Sequence, residues 1–278
     1  MGYGRIPMPG DPQRLATIPP VGMPPAGMPP AGNATPLGSR YFLEYPIGQG
    51  ASGRVWYARR RADHTAVAIK VLRPEYAADP DLVTRFLRER TTLQRLNHPH
   101  LVKVHDLVVE GDTLAVVMEL VEGADLRRIA QRGGLDVEGI LIVLAQVATA
   151  VAYIHRASIL HRDIKPENIL VAEYDGELWS RLTDFGLASA ADGQLLTRSS
   201  HMVGTPAYLA PELLLSRPYG PPIDVYALGV TAYELFSGVR PFEGSNPLAL
   251  MRAQLDTEAR KPPDMADEHW QIVRGCLA

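Results

Sequence analysis

Hydrophobic and polar positions follow different rhythms along the chain. From Tyr41 to about Leu120 the apolar residues fall in short runs rich in β-branched and aromatic side chains. Val55-Trp56-Tyr57-Ala58, Ala66 to Leu72 and Leu114 to Met118 predict strands. One stretch breaks this rhythm. Between Asp81 and Leu96, the residues Leu82, Phe86, Leu93 and Leu96 recur near helical spacing, and His98-Pro99 ends the helix. From about Glu122 onward the pattern is mainly helical. Ile140 to His155 is the most apolar helix. Its run is interrupted by Gln146 and Thr149, which predicts a helix buried in a core. Ile223 to Ser237 predicts another, with Gly238 in a helix-stopping position.

The first 38 residues obey neither rhythm. They hold 10 prolines and 7 glycines, and the five-residue unit GMPPA occurs at Gly22–Ala26 and again at Gly27–Ala31. Proline removes amide donors and glycine raises the entropy cost of ordering, so residues 1–38 are expected to be a disordered, partly polyproline-II leader. A ligand for a proline-binding domain is the functional alternative to a plain tether.

A β-rich segment followed by a larger helical one predicts an α+β fold of two lobes with a cleft between them, where small ligands usually bind. At 278 residues and 46% hydrophobic content, the chain can build a real core. A net charge of −3 gives no general pull toward nucleic acid or an anionic membrane. Cys276 is the single cysteine, so no internal disulfide forms, and a reducing, cytoplasmic setting suits that. No stretch reaches the ~18 consecutive apolar residues of a membrane span.

Phosphoryl transfer requires a backbone cradle for phosphates, cations for their charge, oxygen ligands for metal ions and a base at the acceptor hydroxyl. The chain offers a candidate for each. Gly48-Gln49-Gly50-Ala51-Ser52-Gly53-Arg54-Val55 is a glycine-rich cradle. GxGxxG also fits a dinucleotide fold or a plain hairpin, but a strand follows it here where a dinucleotide site needs a helix. Lys70 closes Val67-Ala68-Ile69-Lys70, and Glu89 on the next helix can orient its ammonium. Taken singly, each would be an ordinary charged surface residue. In His161-Arg162-Asp163-Ile164-Lys165-Pro166-Glu167-Asn168, Asp163 can accept a hydrogen bond from a hydroxyl. Lys165 can neutralise a moving phosphate, and Asn168 offers a carbonyl oxygen to Mg²⁺. Asp184-Phe185-Gly186, after the strand-like Arg181-Leu182-Thr183, supplies a second metal ligand in Asp184.

Together with Ala210-Pro211-Glu212 and Asp224-Val225-Tyr226-Ala227-Leu228-Gly229, these segments resemble the eukaryotic-like (Hanks-type) protein kinase family in its bacterial Ser/Thr branch, over about Tyr41 to Ala278. The resemblance implies a kinase N-lobe at 39–120 and a C-lobe at 121–278. It implies Asp163 as catalytic base and Lys70 on the α- and β-phosphates, paired with Glu89. It implies ATP and Mg²⁺ as cofactors, the metal held by Asn168 and Asp184. Ile47, Val55, Ala68 and Leu170 would sandwich the adenine, beside the Gly48, Gly50, Ser52 and Gly53 loop. Glu119 and Val121 would meet its polar edge by their backbone, with Met118 as gatekeeper and Asp125 near the ribose. Lys165 and the Gly204-Thr205-Pro206 segment resemble Ser/Thr kinases, so protein Ser/Thr hydroxyls would be the acceptors and Thr205 would lie near Asp163. Arg162 would pair with phosphate on an activation loop offering Thr197, Ser199 and Ser200. Related bacterial kinases imply a homodimer through the β lobe.

One departure stands out. In the family, the glutamate matching Glu212 is held by an arginine on a late helix; Arg274 sits too early to match, so a C-lobe truncated at its C-terminal end is expected, with Glu212 unpaired. Two rivals accompany the kinase reading: a pseudokinase or truncated kinase serving as a binding scaffold, and a small-molecule kinase of the antibiotic-phosphotransferase kind. The second generally lacks both the Lys165 position and the Ala210-Pro211-Glu212 segment, which are present here.

Overall fold

The short apolar runs after Tyr41 fold into a six-stranded antiparallel sheet. The structure is a computed structural model that describes residues 34–50, 52–184, 206–215 and 217–278. The sheet comprises β1 (Thr35–Leu37), β2 (Tyr41–Gly50), β3 (Gly53–Arg60), β4 (Ala66–Leu72), β5 (Val104–Glu110) and β6 (Thr113–Glu119), in the order β1-β2-β3-β4-β6-β5. β1 corrects the expected boundary. Thr35, Pro36 and Leu37 pair with Leu43, Phe42 and Tyr41, so sheet structure begins inside the segment read as leader. Leu37 is buried beside Tyr41 and Leu43, and an edge strand tolerates Pro36 because one of its sides needs no amide donor.

Two helices lie between β4 and β5: the short α1 (Pro74–Ala77) and α2 (Pro80–Arg95). Asp79 caps α2, its carboxylate accepting from the amides of Asp81 and Leu82 at 3.0 and 3.2 Å. Leu82, Phe86 and Leu93 turn into the core, as their spacing predicts.

After β6 the chain crosses to the helical lobe through β7 (Ala124–Asp125), α3 (Leu126–Gln131) and α4 (Val137–Arg156). Asp136 caps α4 by accepting from Gly139 N–H at 2.9 Å. Among the described residues, α4 is the one helix long and apolar enough to cross a membrane by length and composition. Here its Ile140, Val143, Val147, Ala150, Val151 and Ile154 are buried. β8 (Ile169–Tyr174) and β9 (Glu177–Leu182) join β7 in a small sheet ordered β7-β8-β9, and β9 packs on α4.

The chain continues through α5 (Pro211–Leu214), α6 (Pro222–Ser237), α7 (Pro247–Asp256) and α8 (Asp267–Cys276). Gly238 ends α6 with φ 74°, a left-handed turn glycine adopts without cost. α8 crosses α6 at Gly229, where an added Cβ would lie 2.6 Å from the Cβ of Cys276. Among the described residues no cation pairs with Glu212. One hydrophobic cluster spans both lobes, from Leu72, Phe86 and Leu107 on the sheet side to Val147, Ile164 and Val230 on the helical side. Each fully buried Leu, Ile or Phe contributes about 1.5–3 kcal/mol. The lobes are therefore set relative to each other by shared apolar contact around the cleft.

Candidate active site

The loop from His161 to Asn168 hangs from a single buried carboxylate. Asp224, on α6, is fully buried. It accepts from the amides of His161 and Arg162 at 2.8 and 2.7 Å and meets His155 Nε2 at 2.8 Å. An unbonded carboxylate there would cost several kcal/mol, so three partners are a condition of its burial. The bonds hold Arg162 at φ 67°, a left-handed conformation rare for a side-chain-bearing residue. Its guanidinium lies over the Tyr219 ring, 5.4 Å from the centroid.

His161 links this loop to the end of β9. Its Nδ1 accepts from Asp163 N–H at 3.2 Å, so Nε2 carries the hydrogen and donates to Thr183 O at 2.9 Å. Burial pushes the imidazole pKa down, which keeps the ring neutral.

The Asp163 carboxylate faces outward from this support. Lys165 Nζ donates to both its oxygens at 2.7 Å, and Asn168 Nδ2 donates to Oδ2 at 2.9 Å and to the Asp163 carbonyl at 2.7 Å. The amide nitrogen of Asn168 is thus spent on Asp163. Its Oδ1 accepts no hydrogen bond among the described residues, and is the atom left to a cation. Thr183 N–H donates to Asn168 O at 2.9 Å, which sets Asp184 beside this group.

Lys70 approaches from the other lobe. It sits in β4 opposite Val55 and Val116 and is only 5% exposed, so its ammonium needs a partner. That partner is Asp184, whose Oδ2 lies 2.8 Å from Nζ. Asp184 adopts φ 65°, also left-handed. Among the described residues, the carboxylate seen on Lys70 is that of Asp184; Glu89 lies half-buried on α2.

The glycines divide by role. Gly50 and Gly53 face each other at the β2–β3 hairpin. A Cβ at Gly53 would come within 2.1 Å of Val71 O, so the sheet itself requires glycine there. A Cβ at Gly50 would meet nothing within 4 Å, and one at Gly48 only Val55 at 3.7 Å. Packing does not demand glycine at those two positions, and beside Gly50 the space is open. Ser52 lies on the hairpin, and its carbonyl accepts from Arg73 N–H at 3.1 Å.

Ile47, Val55 and Leu170 are half-buried, while Ala68, Met118 and Val121 are buried at the lobe junction, with Ala68 opposite Met118. Glu119 N–H is engaged by Lys103 O at 2.9 Å, and its side chain is ion-paired with Arg181. Asp125 is occupied as the cap of α3, accepting from Arg128 N–H at 2.9 Å and pairing with Arg128 Nε at 3.1 Å. Thr197, Ser199, Ser200 and Thr205 lie outside the described residues.

Three features carry no flag in the sequence reading. His161 stands inside a quoted motif, but a role for it needs the bond to Thr183. Asp224 begins a matched segment, yet its three donors come from residues more than 60 positions away. Arg127 gives no local signal at all. Its guanidinium donates to Glu234 at 2.6 and 3.2 Å, to Glu167 at 2.9 Å and to Tyr208, joining α3, the 161–168 loop, the 206–208 turn and α6.

The serine/threonine-protein kinase PkaA of Streptomyces coelicolor is 45% identical over 254 residues, 87% of this chain and 47% of that protein. PknA of Mycobacterium tuberculosis is 39% identical over 244 residues, 85% of this chain and 56% of its own length. The chain thus spans about half the length of the curated relatives it matches. A crystal structure of Rad53 1-466 in complex with AMP-PNP superposes with a TM-score of 0.71 at 29% identity, covering 85% of this chain and 59% of that one. The protein kinase domain model matches residues 41–278, everything from β2 onward, and the chain belongs to that family.

Proposed function

We propose that the chain is an ATP-dependent protein kinase that transfers the γ-phosphate of ATP to Ser or Thr hydroxyls of proteins. The observation that carries this reading is one cluster assembled from distant segments. Lys70 meets Asp184, Asn168 meets Asp163, and the Thr183–Asn168 bond holds the two pairs together.

Asp163 accepts the proton of the acceptor hydroxyl as its oxygen bonds to the γ-phosphorus. The bond to the ADP oxygen breaks, and ADP leaves with the electron pair. Lys165, already on Asp163, offsets charge at the moving phosphoryl group. Lys70 serves the α- and β-phosphates, with Glu89 as the carboxylate that would pair with its ammonium if Asp184 held a metal ion. Asn168 Oδ1 and the Asp184 carboxylate are hard oxygen donors of the kind Mg²⁺ takes, and Mg²⁺ there would neutralise phosphate charge. The open space beside Gly50 suits a phosphate chain, and the apolar positions from Ile47 to Leu170 suit an adenine. The AMP-PNP bound to the Rad53 structure supports the same choice of nucleotide.

Protein substrates and a cytoplasmic site of action, without nucleic acid, a membrane-spanning segment or a disulfide, belong to the same reading, as does a homodimer. So does autophosphorylation at Thr197, Ser199 or Ser200, which would place phosphate on Arg162.

The test is transfer of radiolabelled phosphate from ATP to a generic protein substrate and to the chain itself, with Asp163→Asn beside the wild type. Incorporation that falls at least a hundredfold in Asp163→Asn supports the enzyme. Equal incorporation in both overturns it, and ATP binding without transfer leaves a scaffold. Mass spectrometry of the active protein locates the loop phosphate; an active preparation with none removes the autophosphorylation claim.

A further inference from the structure

A second carboxylate is buried beside the helix that bears Glu89. Asp106, in β5, is 3% exposed. Its Oδ1 accepts from Arg90 Nη2 at 2.7 Å and from Leu107 N–H at 2.9 Å. Its Oδ2 meets Arg40, in the β1–β2 turn, and Tyr41 Oη at 3.4 Å. The strand register shifts between Val104 and Asp106, an irregularity of the kind that re-aims a side chain. One residue on α2 is therefore bolted to the sheet by a charge-assisted bond, and that residue directly follows Glu89. A second bolt lies one turn further on, where Gln94 Nε2 donates to His105 O at 2.8 Å. Both bolts hold the C-terminal half of α2, with Glu89 at the margin of the held part.

We propose that Asp106 is a positioning residue for phosphoryl transfer. By gripping Arg90 it sets the rotation of α2 from which Glu89 is presented to Lys70. By gripping Arg40 it ties that setting to β1, which precedes the family-matched residues 41–278. The proposal rests on the kinase reading above. Successive helical residues project about 100° apart, so fixing Arg90 leaves Glu89 little freedom to turn about the helix axis. Charge on Asp106 is needed because its donors are two guanidiniums, which a neutral amide would satisfy only in part.

The experiment uses the full chain and compares Asp106→Asn, Arg90→Gln, Arg40→Gln and Glu89→Gln, with each of the first two also made in the Glu89→Gln background. Melting temperature, kcat and the KM for ATP are measured for every variant. The Arg90 side chain is 40% exposed, so Arg90→Gln keeps the fold even if Asp106→Asn does not. We expect Arg90→Gln and Asp106→Asn to lower kcat about tenfold, with KM for ATP changed less, and Arg40→Gln to act in the same direction but less. Arg90→Lys should recover part of the loss. In the Glu89→Gln background the further loss should be under about twofold, because the route through Glu89 is already cut.

A merely structural role would lower kcat by the same factor in both backgrounds, and that result overturns the proposal. So does full or raised kcat in Arg90→Gln. A wild type that transfers no phosphate would overturn the kinase reading itself, and the proposal with it.

Discussion

Lys70 and Asp184 stand 114 positions apart in the chain and 2.8 Å apart in the fold. This contact crosses the cleft, from the fourth strand of one lobe to the residue two past the end of β9 in the other. It also means that the ammonium and the carboxylate satisfy each other, so on the proposed reading a magnesium–nucleotide complex would have to compete with this pair. The same pair decides what happens when either partner is removed.

Asp184→Ala should leave a nearly buried ammonium without its partner. The Lys70 side chain is 6% exposed and that of Asp184 20%, so we expect a loss of about 2–3 kcal/mol in urea denaturation, below the range for a fully enclosed pair. Adding Lys70→Met should return most of that stability, since no charge then remains to be solvated. A double variant as unstable as the sum of the two singles would contradict this.

Stability should fall as pH drops below about 6.5. His161 is fully buried with its pKa pushed down by burial, and burial moves His98 and His105 the same way. The unfolded chain protonates these rings near pH 6.5 while the folded one resists, so below that pH the unfolded state binds more protons and is favoured. The full stability is present above pH 6.5. The lowered carboxyls of Asp63 and Asp267 act only below about pH 4, so pH 5–6.5 isolates the histidines. Thermal melts should be level from pH 8 to 7 and decline from 6.5 to 5.5, less steeply in His161→Asn. A flat profile across that window would refute the assignment.

Arg127→Ala should cost about 2–4 kcal/mol, because Glu234, with its side chain 11% exposed, loses the cation that neutralises it. Burial pulls the Arg127 pKa down, but its bonds to Glu234 and Glu167 outweigh that and hold it raised. Burial and the bond to Glu234 likewise push the Tyr208 hydroxyl up. Arg127→Lys should recover less than half, since one ammonium cannot serve Glu234, Glu167 and Tyr208 together. Chemical denaturation of the three proteins gives the comparison, and full recovery by lysine would contradict the fork.

Gly229→Ala should destabilise by about 1–3 kcal/mol through overpacking. The added methyl would meet the Cβ of Cys276 at 2.6 Å. Cys276→Ser keeps that Cβ and should therefore restore nothing. A melting temperature unchanged in Gly229→Ala would show that α8 shifts freely on α6.

Much of this molecule was legible in its letters because the signals are local. A strand shows its short β-branched apolar run within seven residues, as Ala66–Leu72 does, and a helix shows its apolar stripe within sixteen, as Pro80–Arg95 does. Glycine at 238 announces the end of α6 from one position. The order of the glycine hairpin, the strand lysine, the 161–168 loop and Asp184 along the chain likewise names the family and its candidate residues. Contacts between distant segments leave no such trace. The Asp184 partner of Lys70, the three donors on Asp224, the Arg127 fork and the grip of Asp106 on Arg90 each depend on which buried charges meet once the core closes. Which carboxylate an ammonium finds depends on distance and desolvation, and both come into being only when the lobes pack.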